Sequence, residues 1–136
     1  MTPIRVNHVA VVARDFDTAV GFWRDVIGLE VTETEDNAEE AVKVAFLSVG
    51  NTDIELIAPT TDDSGVAKYL DKRGPGMHHL CIEVEDIDET MATMIEKGVE
   101  MINEAPRTRE NGVRYAFTHP KSTGGVMIEL YQLPKN

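Results

Sequence analysis

The feature that most constrains this chain is an internal repeat. The sequence reads HVAVVARDFDTAV from His8 and HLCIEVEDIDETM from His79. Each copy is a histidine on an alternating apolar run, then an Asp-x-Asp turn, then an amphipathic stretch. Each is followed later by Ile-Glu-Leu, at Ile54–Leu56 and again at Ile128–Leu130. The histidines lie 71 positions apart (79 − 8) and the glutamates 74 (129 − 55). Repetition of this kind fixes the architecture before any single residue does, because each copy is the same supersecondary unit. The chain reads as two near-equal modules, each supplying one imidazole and one carboxylate. That donor set suits a divalent metal such as Co, Ni, Mn, Fe or Zn.

Hydrophobic periodicity gives the elements of each module. Val6 to Val12 alternates, with Val6, His8, Ala10 and Val12 on one face, and so reads as a buried strand. Asp15 caps a helix whose stripe is Phe16, Ala19, Val20, Trp23, Val26 and Ile27, and Gly28 ends it. Leu29–Thr34, Val42–Val49 and Asp53–Ala58 follow as strands, the last two joined by a hairpin turn at Gly50-Asn51. The connection, Pro59 to Pro75, holds a short helical pattern through Val66, Ala67, Tyr69 and Leu70. The order then repeats. Met77–Val84 is a strand. Asp86 caps a helix, with Glu89 completing a capping-box pattern and Ile87, Met91, Met94 and Ile95 as the apolar stripe. Val99–Asn103, Val113–Thr118 and Val126–Leu133 are the remaining strands, with Arg107–Gly112 and Lys121–Gly125 as loops.

Composition narrows the function classes. At 136 residues and 42% apolar content, the chain has one domain's worth of core, or two small modules sharing one. The formal charge of −11 disfavours nonspecific nucleic-acid binding, which rests on basic surface. No stretch is long or apolar enough to span a membrane. The first residues carry no secretory pattern, and the single cysteine, Cys81, cannot form an internal disulfide. Together these point to the cytoplasm.

A lone histidine on an apolar strand is ordinarily a hydrogen-bonded core residue, and a lone strand glutamate ordinarily faces solvent. The repeat changes that. Burying an ionised carboxylate costs several kcal/mol unless it is paired or ligates a metal. Two such carboxylates, each with an inward histidine, call for a common cation. Strand parity selects between the adjacent His78 and His79. Leu80, Ile82 and Val84 share a face with His78 and pack under the helix, whereas His79 lies with Cys81 and Glu83 on the more polar face. Alignment of the repeats picks His79 independently. Cys81 reads as a small core residue.

The paired β-α-β-β-β pattern with this His/Glu placement resembles the vicinal oxygen chelate superfamily. Within it the chain is similar to the methylmalonyl-CoA epimerase family over nearly its whole length. The segments that carry the resemblance are VKVAFLSVGNTDIELIAP (Val42–Pro59), DSGVAKYLDKRGPGMHHLCIEVEDID (Asp63–Asp88) and HPKSTGGVMIEL (His119–Leu130).

The resemblance implies an α+β fold of two βαβββ modules forming a cupped mixed sheet around a metal site. It implies a single domain over 1–136, with one module at about 4–59, a connection at 60–76 and the second module at about 77–134. It implies a divalent metal, often cobalt, on His8, Glu55, His79 and Glu129, and a homodimer. The family interconverts the (2R) and (2S) forms of methylmalonyl-CoA, an acyl-CoA. The proton removed lies between a thioester and a carboxylate, so its loss gives an enolate whose charge a divalent cation stabilises. Reprotonation from the opposite face calls for two proton carriers, and Glu55 and Glu129 are expected as the catalytic pair.

The turn residues Lys121, Ser122 and Thr123 are the expected substrate-binding group, suited to the substrate carboxylate. Arg107 and Arg109 flank a loop suited to a CoA phosphate, and His119 opens the last family segment. One departure stands out. Some family members have Gln where this chain has Glu55, and then carry a glutamate at the position occupied here by Val44. The rival enzyme reading is a glyoxalase I-type lyase acting on glutathione hemithioacetals; HPKSTGG before the last metal strand favours the epimerase. The rival from another class is a metal-free small-molecule-binding protein of the same fold.

Overall fold

The computed structural model describes residues 2–135. It contains eight strands and three α-helices, and divides into two compact units with a boundary between His78 and His79. Residues 8–78 form one unit. Residues 2–7 join 79–135 in the other.

In the first unit the strands are β1 (Pro3–Val12, from His8 onward), β2 (Glu30–Asn37), β3 (Val42–Val49) and β4 (Thr52–Pro59). They lie in the order β2-β3-β4-β1. β1 and β4 are parallel, whereas β2–β3 and β3–β4 are antiparallel hairpins. The β3–β4 turn needs a residue with positive φ, and Gly50 supplies it at +59°. Asp15 has extended backbone, and its carboxylate accepts from the Thr18 amide at the start of helix α1 (Phe16–Gly21). The helix lays Val20, with Phe16, Ala19 and Trp23, on Ala45, Leu47 and Leu56 of the sheet. A second helix, α2 (Gly65–Arg73), is capped by Ser64 and buries Ala67 and Leu70.

The second unit repeats the plan. β5 (Gly76–Val84), β6 (Arg107–Thr108), β7 (Arg114–Phe117) and β8 (Ile128–Gln132) lie in the order β5-β8-β7-β6. β5 and β8 are parallel, and β7 is antiparallel to both β8 and β6. Asp86 caps helix α3 (Ile87–Glu96) by accepting from the Glu89 amide. The core is Val84, Ile87, Met91, Ala116 and Leu130, so β5 turns its even-numbered residues towards the helix, as the sequence parity requires. Among the described residues no helix is long and apolar enough to cross a membrane.

The structure departs from the sequence reading in three places. The first helix was expected to run unbroken to Gly28. Instead α1 ends at Gly21 and a π-helical turn covers Phe22–Val26, closed by the Ile27 amide on the Phe22 carbonyl at 3.1 Å. The wider turn shifts the helical register, so Trp23 still reaches the core while Val26 and Ile27 are exposed (72% and 52%). Val99–Asn103 forms no regular strand and makes a single bridge, Met101 to Thr118. Here the Asn103 side chain takes the Phe117 amide at 2.7 Å, a bond that a strand carbonyl would otherwise accept. Finally, the expected loop at 107–112 begins with the two-residue strand β6.

The core contrast along α3 gives a stability prediction. Ile87 is fully buried, whereas Ile95 is half-exposed. Ile87→Ala is expected to cost about 2–5 kcal/mol in urea unfolding. Ile95→Ala is expected to change stability by less than about 1 kcal/mol, even though both residues belong to the same sequence stripe.

Candidate functional site

Each unit holds one of the two repeated His/Glu pairs, and the local geometry is the same in both. In the first unit, parallel pairing sets Glu55 opposite Ala10, two residues beyond His8. In the second, it sets Glu129 opposite Cys81, two residues beyond His79. Side chains two apart on a strand share a face, so each histidine and its glutamate point the same way. His8 Nε2 lies 3.1 Å from Glu55 Oε2, and His79 Nε2 lies 3.2 Å from Glu129 Oε1. Both histidines are buried (6% exposed); the Glu55 side chain is 17% exposed and that of Glu129 only 1%. The four expected ligands therefore form two matched imidazole–carboxylate pairs. Their nitrogen and oxygen donors suit a divalent cation of the first transition row.

His78 takes the other face of β5, as parity requires, and its ring packs on Tyr69 at 4.7 Å between centroids. Glu83 shares the face of His79 and is buried too, but it is neutralised locally. Its Oε1 accepts from Arg5 Nε at 3.1 Å and from Asn7 Nδ2 at 3.0 Å. This buried carboxylate thus has a cation of its own.

The second pair is bounded by aromatic residues that the sequence reading did not single out. Phe117, in register with Glu129 across β7–β8, meets the His79 ring edge-to-face at 5.2 Å. Tyr115 follows it on the same face, 6.1 Å from Phe117. Arg109 lies over Tyr115, with its guanidinium carbon 4.2 Å from the ring centroid. One end of that guanidinium reaches to 3.6 Å from Glu129 Oε2. The signal in the sequence was the period-two aromatic pair on β7. Its meaning depends on cross-strand register, which the sequence does not state.

Position 44 bears on the first pair. Val44 pairs with Ile57, and Phe46 pairs with Glu55, so residues 44, 46 and 55 share a face. Val44 is buried there. A glutamate at 44 would occupy the same face as Glu55; here β3 carries no carboxylate, and that face has Glu55 and Asp53 of β4.

The turn expected to meet substrate is held by local bonds. Pro120–Ser122 is a short 3-10 turn capped by His119, whose Nδ1 accepts from the Lys121 amide at 3.2 Å. Lys121 pairs with Glu100, and Ser122 Oγ accepts from the Glu100 amide at 2.9 Å. Thr123 donates to the carbonyls of Pro120 and Val126. Arg107 is exposed on β6, across from Tyr115.

Similarity to known proteins fixes the family. The family model described as the Glyoxalase/Bleomycin resistance protein/Dioxygenase superfamily matches residues 7–117, and the chain belongs to that superfamily. The mitochondrial methylmalonyl-CoA epimerase of Mus musculus is 39% identical over 129 residues, covering 94% of this chain and 72% of that protein. The ethylmalonyl-CoA/methylmalonyl-CoA epimerase of Cereibacter sphaeroides is 35% identical over 95% of this chain and 98% of its own length. Among solved structures, a Streptomyces coelicolor methylmalonyl-CoA epimerase in complex with 2-nitronate-propionyl-CoA superposes with a TM-score of 0.85. It is 36% identical and covers 97% of this chain and 96% of that one. Within the superfamily, the chain's place is the methylmalonyl-CoA epimerase family.

The Lys121–Glu100 pair yields a pH prediction. The Glu100 carboxyl is held below its ordinary value chiefly by the hydrogen bond from Lys121; desolvation opposes this, and the Lys121 charge adds a smaller lowering. The stabilisation is therefore complete above the ordinary glutamate range and is lost as pH falls through the lowered value. In Lys121→Ala the Glu100 carboxyl should titrate at higher pH than in the parent, as followed by carboxyl-carbon NMR. An unchanged titration would show that the turn is not pinned by this pair.

Proposed function

We propose that this chain is a metal-dependent epimerase of methylmalonyl-CoA, interconverting its (2R) and (2S) forms by removing and returning the α-proton. The observation that carries the reading is the matched register of the two His/Glu pairs, in a chain of this family. His8, Glu55, His79 and Glu129 would hold the divalent metal, with cobalt the leading candidate and a homodimer the expected assembly. When bound, such a cation supplies Lewis acidity that stabilises the charge of the enolate.

The residues of the chain supply the remainder. Glu55 and Glu129 are the proton carriers, one for each face of the planar carbon. Their placement on equivalent strands of two repeated modules supports a two-sided arrangement. Glu55 is the more open of the two and carries the function that a glutamate at position 44 carries in other members. Phe117 fixes the His79 ring and, with Tyr115, limits water around Glu129. Lys121, Ser122 and Thr123 form the proposed contact surface for the acyl-CoA.

The test uses heavy water. Glu55→Gln preserves size and an oxygen donor but removes the base. It should retain metal and lose about two to four orders of magnitude in epimerisation. Each pure epimer is incubated with the variant, and label and configuration are followed separately. One epimer should still exchange its α-proton without inverting, and the other should exchange poorly. Equal loss for both would reject the two-face assignment. If the parent protein turns over a glutathione hemithioacetal and leaves methylmalonyl-CoA unexchanged, the epimerase reading itself fails in favour of the lyase.

A further inference from the structure

Arg109 has an unusual setting for a loop arginine. Its backbone is fixed, because its amide donates to the Val113 carbonyl at 2.8 Å and its carbonyl accepts from the Gly112 amide at 2.9 Å. That tight turn requires Gly112 at a φ of +87°. The side chain is half-exposed (47%), yet it reaches inward over Tyr115 to a carboxylate that is almost wholly buried. Glu129 already faces His79 at hydrogen-bond distance.

We infer that Arg109 is a substrate-binding residue that receives the free carboxylate of the acyl group. The inference rests on the epimerase reading and deepens it. Three features of the structure and of the substrate support it. First, the guanidinium carbon sits 4.2 Å from the Tyr115 ring centroid, which holds the group over the ring, and arginine N–H groups can bind a planar carboxylate through two parallel bonds. Second, the contact with Glu129 is 3.6 Å, an ion-pair distance that is long for a hydrogen bond, so the edge can turn to an incoming carboxylate at small cost.

Third, the position fits this end of the substrate. The α-carbon must approach Glu129 to exchange its proton, and the acyl carboxylate is bonded directly to that carbon. A group touching Glu129 is therefore within reach of the carboxylate. The CoA phosphates lie the length of the pantetheine arm away. Loss of the α-proton places a second negative charge beside the carboxylate, and a cation at this point offsets it. Lys121, another cation proposed to meet substrate, is paired with Glu100.

The experiment is calorimetric titration of the metal-loaded protein with methylmalonyl-CoA and with propionyl-CoA, which is the same thioester without the carboxylate. Arg109→Gln should weaken methylmalonyl-CoA about 10- to 100-fold, the scale of a charge-assisted pair, and leave propionyl-CoA unchanged. Arg109→Lys should recover part of the loss. Equal weakening of both ligands by Arg109→Gln would overturn the inference, since it would mean contact with a CoA phosphate or a purely structural role. No weakening of either would overturn it as well. A parent protein that binds propionyl-CoA as tightly as methylmalonyl-CoA and fails to epimerise the latter would remove the epimerase reading instead, and the inference with it.

Discussion

A carboxylate buried inside an apolar strand organises this molecule. Glu129 is 1% exposed, between Ile128 and Leu130, on a strand whose other face packs under a helix. Such a group is tolerated only with compensating charge, because desolvation costs several kcal/mol before any partner is counted. The second unit offers two polar partners, the His79 imidazole and the Arg109 guanidinium, with Phe117 packed on His79 and Tyr115 under Arg109. The same module handles its other buried carboxylate, Glu83, with a closed local network from Arg5 and Asn7. The contrast is between a carboxylate closed off by its own hydrogen bonds and one facing a histidine, as the proposed reaction needs.

The first unit solves the same problem with a looser fit. Its parallel pairing reproduces the two-residue offset between histidine and glutamate, but Glu55 retains some exposure. In the proposed reaction a proton carrier needs access to the reacting carbon, and Glu55 is the more accessible of the two glutamates. Valine at position 44 leaves no carboxylate on β3 facing Glu55.

Much of this was legible from residue order alone. The doubled His…Ile-Glu-Leu spacing located both pairs, and strand parity distinguished His79 from His78, because a period-two pattern has only two faces to offer. Asp15 and Asp86 marked their helices through capping chemistry that acts within one turn. What escaped the sequence depended on contacts without local signature. The π-helical turn at Phe22–Val26 changes register by a fraction of a turn, which periodicity over so short a helix does not resolve. Asn103 replaced a strand bond with a side-chain bond. The approach of Arg109 to Glu129 required the register of β7 on β8, a property of pairing and not of either strand.

The central claim is that the two repeated pairs serve one divalent cation. It is tested most directly by the metal content of the purified protein after passage over a weak chelator, measured by elemental analysis. The account predicts a single divalent ion per chain, lost in His8→Ala and equally in His79→Ala, and retained in His78→Ala. Full metal content in either His8→Ala or His79→Ala, or its loss in His78→Ala, would contradict it.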